Sequence, residues 1–219
     1  MNTAVLEKVF NCPTLPSLPS IAIEVLELTA DDSVPVAKIA KVIQNDQALA
    51  AKILKTINSS FYGLAKPCPT ISRAVAYLGM NTVKSLALGF SVIDLQAEGG
   101  GAFDPMAHWR RCVYGGAGAR IIGEYLVSRD AASGPEVDGD PEEMFIAALL
   151  QDVGVLAMFT ALGEEYDDVI AGAGRDHDRL AALEQAAFGV DHAEVGALLG
   201  EKWRLPTSLA ELIRYHHRT

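Results

Sequence analysis

The residues best equipped for chemistry in this 219-residue chain are five histidines, three cysteines and one carboxylate in unexpected surroundings. Asp152 stands inside Met144–Leu162, an otherwise apolar stretch. It is therefore expected to be buried and to require a partner. His192 reads as a core histidine that caps a helix or hydrogen-bonds internally. His216 and His217 close the last expected helix, where an imidazolium interacts well with the helix dipole. His177 lies among Arg175, Asp176, Asp178 and Arg179, the composition of a solvated turn. Cys12, Cys68 and Cys112 are odd in number and widely spaced. They imply neither a disulfide framework nor a zinc site, and reduced thiols in a cytoplasmic protein are expected. There is no Gly-x-Ser-x-Gly, no P-loop and no dinucleotide fingerprint. Gly115-Gly116-Ala117-Gly118 falls where a helix is expected, and suits close helix packing rather than phosphate binding.

These residues must be positioned by helices, because helical periodicity runs through the chain and strand-like alternation does not. Ile21, Val25 and Leu28 share one face; Val36, Ile39, Ala40 and Ile43 repeat the pattern, as do Leu49, Ile53 and Ile57. Helix starts are expected at Asp46, Ser72, Asp104 before Pro105, Asp140 before Pro141, and Asp191. Ser33 before Pro35 marks another, and Pro206 opens the last helix. Gly63, Gly79 and Gly189 are expected stops. The result is roughly a dozen helices. Glu98-Gly99-Gly100-Gly101 reads as a joint, giving an N-terminal lobe over residues 1–97 and a second lobe over 103–219. Arg129–Glu143 reads as an exposed loop within the second lobe. Half of the residues are hydrophobic, enough for a sizeable core. The formal charge of −10 disfavours nucleic acid and anionic lipid as partners. Met144–Leu162 is apolar enough to suggest a membrane span, but Gln151, Asp152 and Gly154 at its centre favour a buried helical pair broken at Gly154.

Three stretches carry a resemblance. Leu15–Leu28 reads LPSLPSIAIEVLEL, Ile43–Gly63 reads IQNDQALAAKILKTINSSFYG, and Ile71–Leu88 reads ISRAVAYLGMNTVKSLAL. The Leu-Pro pairs, the Asp before Ala-Leu, the Asn-Ser before two aromatics and Gly, and the Ala-x-x-x-Leu-Gly segment fall in the order found in HDOD domains. The chain resembles that family over nearly its whole length. The resemblance implies an all-α fold whose C-terminal lobe is related to HD and HD-GYP phosphohydrolases. Those enzymes hold divalent metals on scattered His and Asp side chains and generate a hydroxide nucleophile near neutral pH.

Set against that ligand pattern, the chain departs at two positions. The first expected His coincides with Arg111 in the run His108-Trp109-Arg110-Arg111-Cys112. A guanidinium has no free lone pair and stays protonated. His108, three residues away, is a poor substitute. In the His-Asp pair that names the HD enzymes, Gln151 replaces the His and Asp152 is kept. Val155 stands where those hydrolases often have Lys. His192, four residues before Gly196, and the pair His216-His217 are retained. The acidic ligand and the Gly-Tyr-Pro segment that follow in HD-GYP enzymes have no counterpart before Thr219.

Arg111, Gln151, Asp152, His192, His216 and His217 are thus expected to line a vestigial HD pocket without a catalytic residue, metal ligand or cofactor, with Arg111 paired to Asp152. Asn58–Gly63 is expected to end a helix, with its aromatics packing between the lobes. The resemblance implies a bacterial, cytoplasmic signal-transduction output or scaffold domain that binds another protein, without nucleic acid or membrane as a partner. A nucleotide second messenger bound near Arg111, Asp152 and His192 is the alternative ligand. A weak metal-dependent phosphohydrolase is a further rival.

Overall fold

The computed structural model describes residues 3–15, 19–29, 33–60, 62–93, 101–133 and 140–218. The described residues form thirteen helices and no strand: α1 (Thr3–Phe10), α2 (Ser20–Thr29), α3 (Val36–Asn45), α4 (Gln47–Ile57), α5 (Ile71–Leu78), α6 (Met80–Ile93), α7 (Pro105–Ser133), α8 (Pro141–Leu150), α9 (Val153–Leu162), α10 (Glu164–Ala173), α11 (His177–Phe188), α12 (His192–Lys202) and α13 (Thr207–Tyr215). They divide into two compact units, one of residues Leu18–Asp94 and one of Met1–Ser17 with Leu95–Thr219.

The smaller unit follows its apolar periodicity. Val25, Ile39, Ile43, Ile53, Ile57, Ile71 and Val83 meet in one core. Val36, expected on that face, is instead 45% exposed at the first turn of α3. Asp46 accepts from the Leu49 N–H and starts α4. The cap of α5 is Thr70, which accepts from the Arg73 N–H; Ser72, the expected cap, lies inside the helix. Asn58 ties down the loop after α4. Its side-chain amide donates to the Leu54 and Cys68 carbonyls, and its Oδ1 accepts from the Cys68 N–H at 2.6 Å. Phe61, one of the two aromatics in that run, lies outside the described residues.

In the larger unit α1 packs on α9. Val9 is fully buried, Lys8 pairs with Glu165 at 3.1 Å, and the Lys202 ammonium lies 5.5 Å from the centre of the Phe10 ring. The expected division at residue 97 is corrected accordingly: the first helix belongs with the C-terminal lobe, because its apolar side finds its partners there. The expected joint at 98–100 lies outside the described residues. The expected loop Arg129–Glu143 is shorter than its composition suggested. The helix α7 continues to Ser133 and α8 starts at Pro141, capped by Asp140 accepting from the Glu142 N–H; residues 134–139 lie outside the described set.

Helices approach closely where glycine allows it. A Cβ on Gly116 would lie 3.1 Å from the Phe145 ring, and one on Gly123 would lie 2.6 Å from the Met144 sulfur, so the glycines of α7 seat α8. The contact between α9 and α12 is tighter. A Cβ on Gly154 would fall 1.9 Å from the His192 carbonyl oxygen and 2.7 Å from the Gly196 nitrogen. Pro141–Leu162 is the stretch, among the described residues, long and apolar enough to cross a membrane, and 67% of its most apolar 18-residue window is buried inside the protein. It breaks at Gln151-Asp152, not at Gly154. Gly154 lies within α9, where its missing side chain serves packing.

Candidate functional site

The site assembles at helix ends. Asp152 occupies the corner between α8 and α9 and is completely buried. His177 is the first residue of α11, whose N-terminus is fixed by Asp176 accepting from the Arg179 N–H at 2.9 Å. His192 is the first residue of α12, fixed in the same way by Asp191 and the Glu194 N–H at 2.9 Å. His216 and His217 follow α13 directly. Each cap fixes the helix start from which the imidazole of His177 or His192 projects.

These residues converge on Asp152. Its Oδ1 lies 2.6 Å from His177 Nε2, 3.5 Å from His216 Nε2 and 3.6 Å from His192 Nε2. Its Oδ2 accepts from Arg111 Nε at 3.2 Å. Burial alone would raise the Asp152 pKa. The adjoining His177 and His216 imidazoles and the Arg111 guanidinium outweigh it and hold the carboxyl well below the ordinary range. Burial likewise lowers His216, but the Asp152 carboxylate and the Ile213 carbonyl bring it above its usual value. His217 moves down, through burial and the neighbouring His216 and His192.

A second layer orients the rings. A carboxylate or carbonyl oxygen only accepts, so the ring nitrogen facing it carries the proton. His192 Nδ1 donates to Glu184 Oε2 at 2.6 Å, His216 Nδ1 to the Ile213 carbonyl at 2.7 Å, and His217 Nδ1 to Asp178 Oδ1 at 3.0 Å. Glu184 is fully buried and also accepts from the Tyr166 hydroxyl and the His192 N–H. Burial and the Glu184 carboxylate push Tyr166 well above the usual phenol range. One donor nitrogen from each of His177, His192, His216 and His217 lies within 4.8 Å of the other three.

The structure therefore brings together Arg111, Asp152, His192, His216 and His217, and leaves Gln151 out. Gln151 lines a different cleft, with Met144, Ala148, Leu212 and Tyr215 on its walls and His216 at its edge. His177 corrects the expectation of a solvated turn: its side chain is 20% exposed and aimed at Asp152. His177, Glu184 and Tyr166 were missed. The repeated Asp-His pair, Asp176-His177 and Asp191-His192, is the signal that would have found the first of them. His108 is buried beside Phe103 and Cys112, with Nδ1 lacking a hydrogen-bond partner and its pKa lowered to about 4 by burial.

A two-metal HD hydrolase centre does not fit these residues. The guanidinium of Arg111 engages one Asp152 oxygen where that centre needs an imidazole, and Gln151 lies on another cleft.

An all-helical chain with a buried Asp-His cluster at the α8–α9 corner belongs to the HD-like class of proteins. The HDOD domain family matches residues 15–219, and the chain belongs to that family. Its structure is similar to that of an HDOD domain protein of unknown function from Geobacter sulfurreducens, at 25% identity and a TM-score of 0.78, covering 99% of this chain and 70% of that one. A Shewanella amazonensis SB2B protein that carries a provisional phosphohydrolase name is similar to the same degree, at 25% identity and a TM-score of 0.78, covering 99% and 72%. An uncharacterized protein of Treponema pallidum (strain Nichols) is 26% identical over 206 residues, or 93% of this chain. The chain spans 37% of that relative's length.

Proposed function

We propose that this chain is a non-catalytic output or scaffold domain of bacterial signal transduction that acts by binding another protein. The observation that carries the reading is the outer face of α7. Tyr114, Ile121 and Tyr125 recur at i, i+7 and i+11, with Ile122 beside them, and each is at least 60% exposed. Large aromatic and aliphatic side chains clustered at the surface are typical of recognition patches. Arg111 on Asp152 supports the absence of hydrolysis, and the −10 charge favours a protein over a nucleic acid as partner.

The test is capture from the native host with wild-type protein and with Tyr114→Glu/Tyr125→Glu. A partner retained by the wild type and lost from the double variant supports the reading. Phosphodiester turnover with manganese or iron that disappears in Asp152→Ala would overturn it.

A second reading rests on a specific observation. Arg111, Arg175, His108 and His177 line one cleft of about 330 Å³, and guanidinium groups clamp phosphate well. Thermal-shift measurements with cyclic dinucleotides and guanosine polyphosphates separate this nucleotide-binding reading from the protein scaffold. A ligand-dependent rise lost in Arg111→Ala favours the nucleotide.

A further inference from the structure

We propose that the groove between α8 and α13 docks an amphipathic helix of a partner protein, apolar along the contact and carrying lysine or arginine on both flanks. The inference rests on the protein-scaffold reading and adds a second surface, chemically different from the tyrosine and isoleucine face of α7.

The groove follows from helical spacing. α8 and α13 pack on each other, and each turns a stripe of side chains to the space beside the contact. Met144, Ala147 and Ala148 supply the apolar lining from α8, and Leu212 and Tyr215 supply it from α13. Steps of three and four residues keep each stripe on one side of its helix. The space between them is about 690 Å³. Ala147 and Ala148 carry only methyl groups, so a third helix can settle there at an ordinary interaxial distance of about 8–10 Å. From Asp140 to Gln151, the two ends of the α8 lining, the stripe runs roughly 16 Å, or three helical turns. Leu212 and Tyr215 are 51% and 47% exposed. Apolar walls that open to the surface over such a length match the helix-in-groove mode of recognition, in which the guest brings anchors at i, i+3 or i+4 and i+7. A small molecule would need enclosure on most sides.

Charge selects the guest. Each helix adds a carboxylate to the lining, Glu143 from α8 and Glu211 from α13, and Asp140, which also caps α8, adds a third at one end. No lysine or arginine among the described residues lines the groove. The neighbouring ion pairs use other residues: Arg120 pairs with Glu142, and Arg214 of α13 with Glu194 and Glu201. Arg218 stacks on the Tyr215 ring, 5.1 Å from its centre, outside the lining. His216, at the edge, turns its ring nitrogens to the Ile213 carbonyl and Asp152. Carboxylates on both helices repel an acidic guest and favour a cationic flank on each side of an apolar stripe.

The test uses the full chain and fluorescence anisotropy. The probe is a labelled 16-residue helical peptide with leucines at every third and fourth position and lysines flanking them. Its controls are the same peptide with glutamate for lysine and a scrambled peptide of equal composition. The wild type should bind the lysine peptide at least about tenfold more tightly than either control. Glu143→Lys/Glu211→Lys should reverse the preference between the lysine and glutamate peptides, and Leu212→Ser should weaken both. All three residues are exposed, and circular dichroism verifies that the variants fold. Binding of the lysine peptide weaker than about 1 mM, equal affinity for the scrambled peptide, or an unchanged preference in the charge-reversed variant would overturn the proposal. So would a dimer of the chain that Leu212→Ser disperses, since a second copy would then fill the groove. Tyr114→Glu/Tyr125→Glu should bind the lysine peptide like the wild type, so failure here is distinct from failure of the α7 reading.

Discussion

Glu184 and His192 are joined twice through a single atom: Glu184 Oε2 accepts both the backbone N–H of His192, at 2.8 Å, and its ring Nδ1–H, at 2.6 Å. The other carboxylate oxygen takes the Tyr166 hydroxyl. A chain of three buried groups from α10, α11 and α12 thereby fixes the orientation of one imidazole. Tyr166→Phe leaves Glu184 one donor short in a dry environment. It should cost about 1–3 kcal/mol, measured by urea denaturation. A loss indistinguishable from zero would mean that water replaces the hydroxyl and that the chain does not order the ring.

The two partners of the Arg111–Asp152 pair should respond unequally. Asp152 is completely buried, whereas the Arg111 side chain is 46% exposed. Removing the anion strands a cluster of imidazoles around an apolar gap, and Asp152→Ala should cost ~3–5 kcal/mol. Removing a half-solvated cation should cost roughly 1 kcal/mol, since water screens it and the histidines still face the carboxylate. Equal losses in denaturant unfolding would contradict this asymmetry.

His108 supplies a pH dependence. Burial lowers its pKa from 6.5 to about 4, so between those values the unfolded chain holds the extra proton. Stability is then full above pH 6.5 and declines as the pH falls toward 4. At about 1.4 kcal/mol per pH unit, the decline attributable to this ring is about 3 kcal/mol. His108→Leu should flatten the stability curve between pH 7 and pH 4.5. Parallel curves for wild type and variant would rule this ring out as the cause.

Gly154→Ala should be poorly tolerated. The new methyl would sit 1.9 Å from the His192 carbonyl oxygen, and its nearest neighbours, from His192 and Gly196, are backbone atoms that no rotamer change can move aside. A cost of about 3 kcal/mol is expected, with shifted His192 resonances in the NMR spectrum. Retention of both stability and resonances would show that α9 and α12 can separate freely.

Much of this architecture is legible in residue order because its signals are local. Asp46, Asp104, Asp140 and Asp191 each accept from a nearby backbone N–H at a helix start, as a cap must. The burial of Asp152 follows from its apolar neighbours. What escaped depends on direction in space. His177 has charged residues on both sides, and only its place at the first turn of α11 rotates the ring inward. Glu184 stands in the apolar run Leu180–Phe188, but the partners that hold its carboxylate in the core, His192 and Tyr166, come to it from other helices. The first helix was assigned to the wrong lobe because its partners, Glu165 and Lys202, are more than a hundred residues away.

At Gly154 and Gly196 the main chains of α9 and α12 rest against each other with no side chain between them. Side chains between packed helices can change rotamer and absorb part of a displacement, which backbone atoms cannot. Where they are missing, the two helices behave mechanically as one piece. A tug on His192 is delivered within two residues to Asp152, and from there to the Arg111 side chain at the surface of α7. Whatever grips the imidazoles would be felt on the outside of the molecule as movement of a helix.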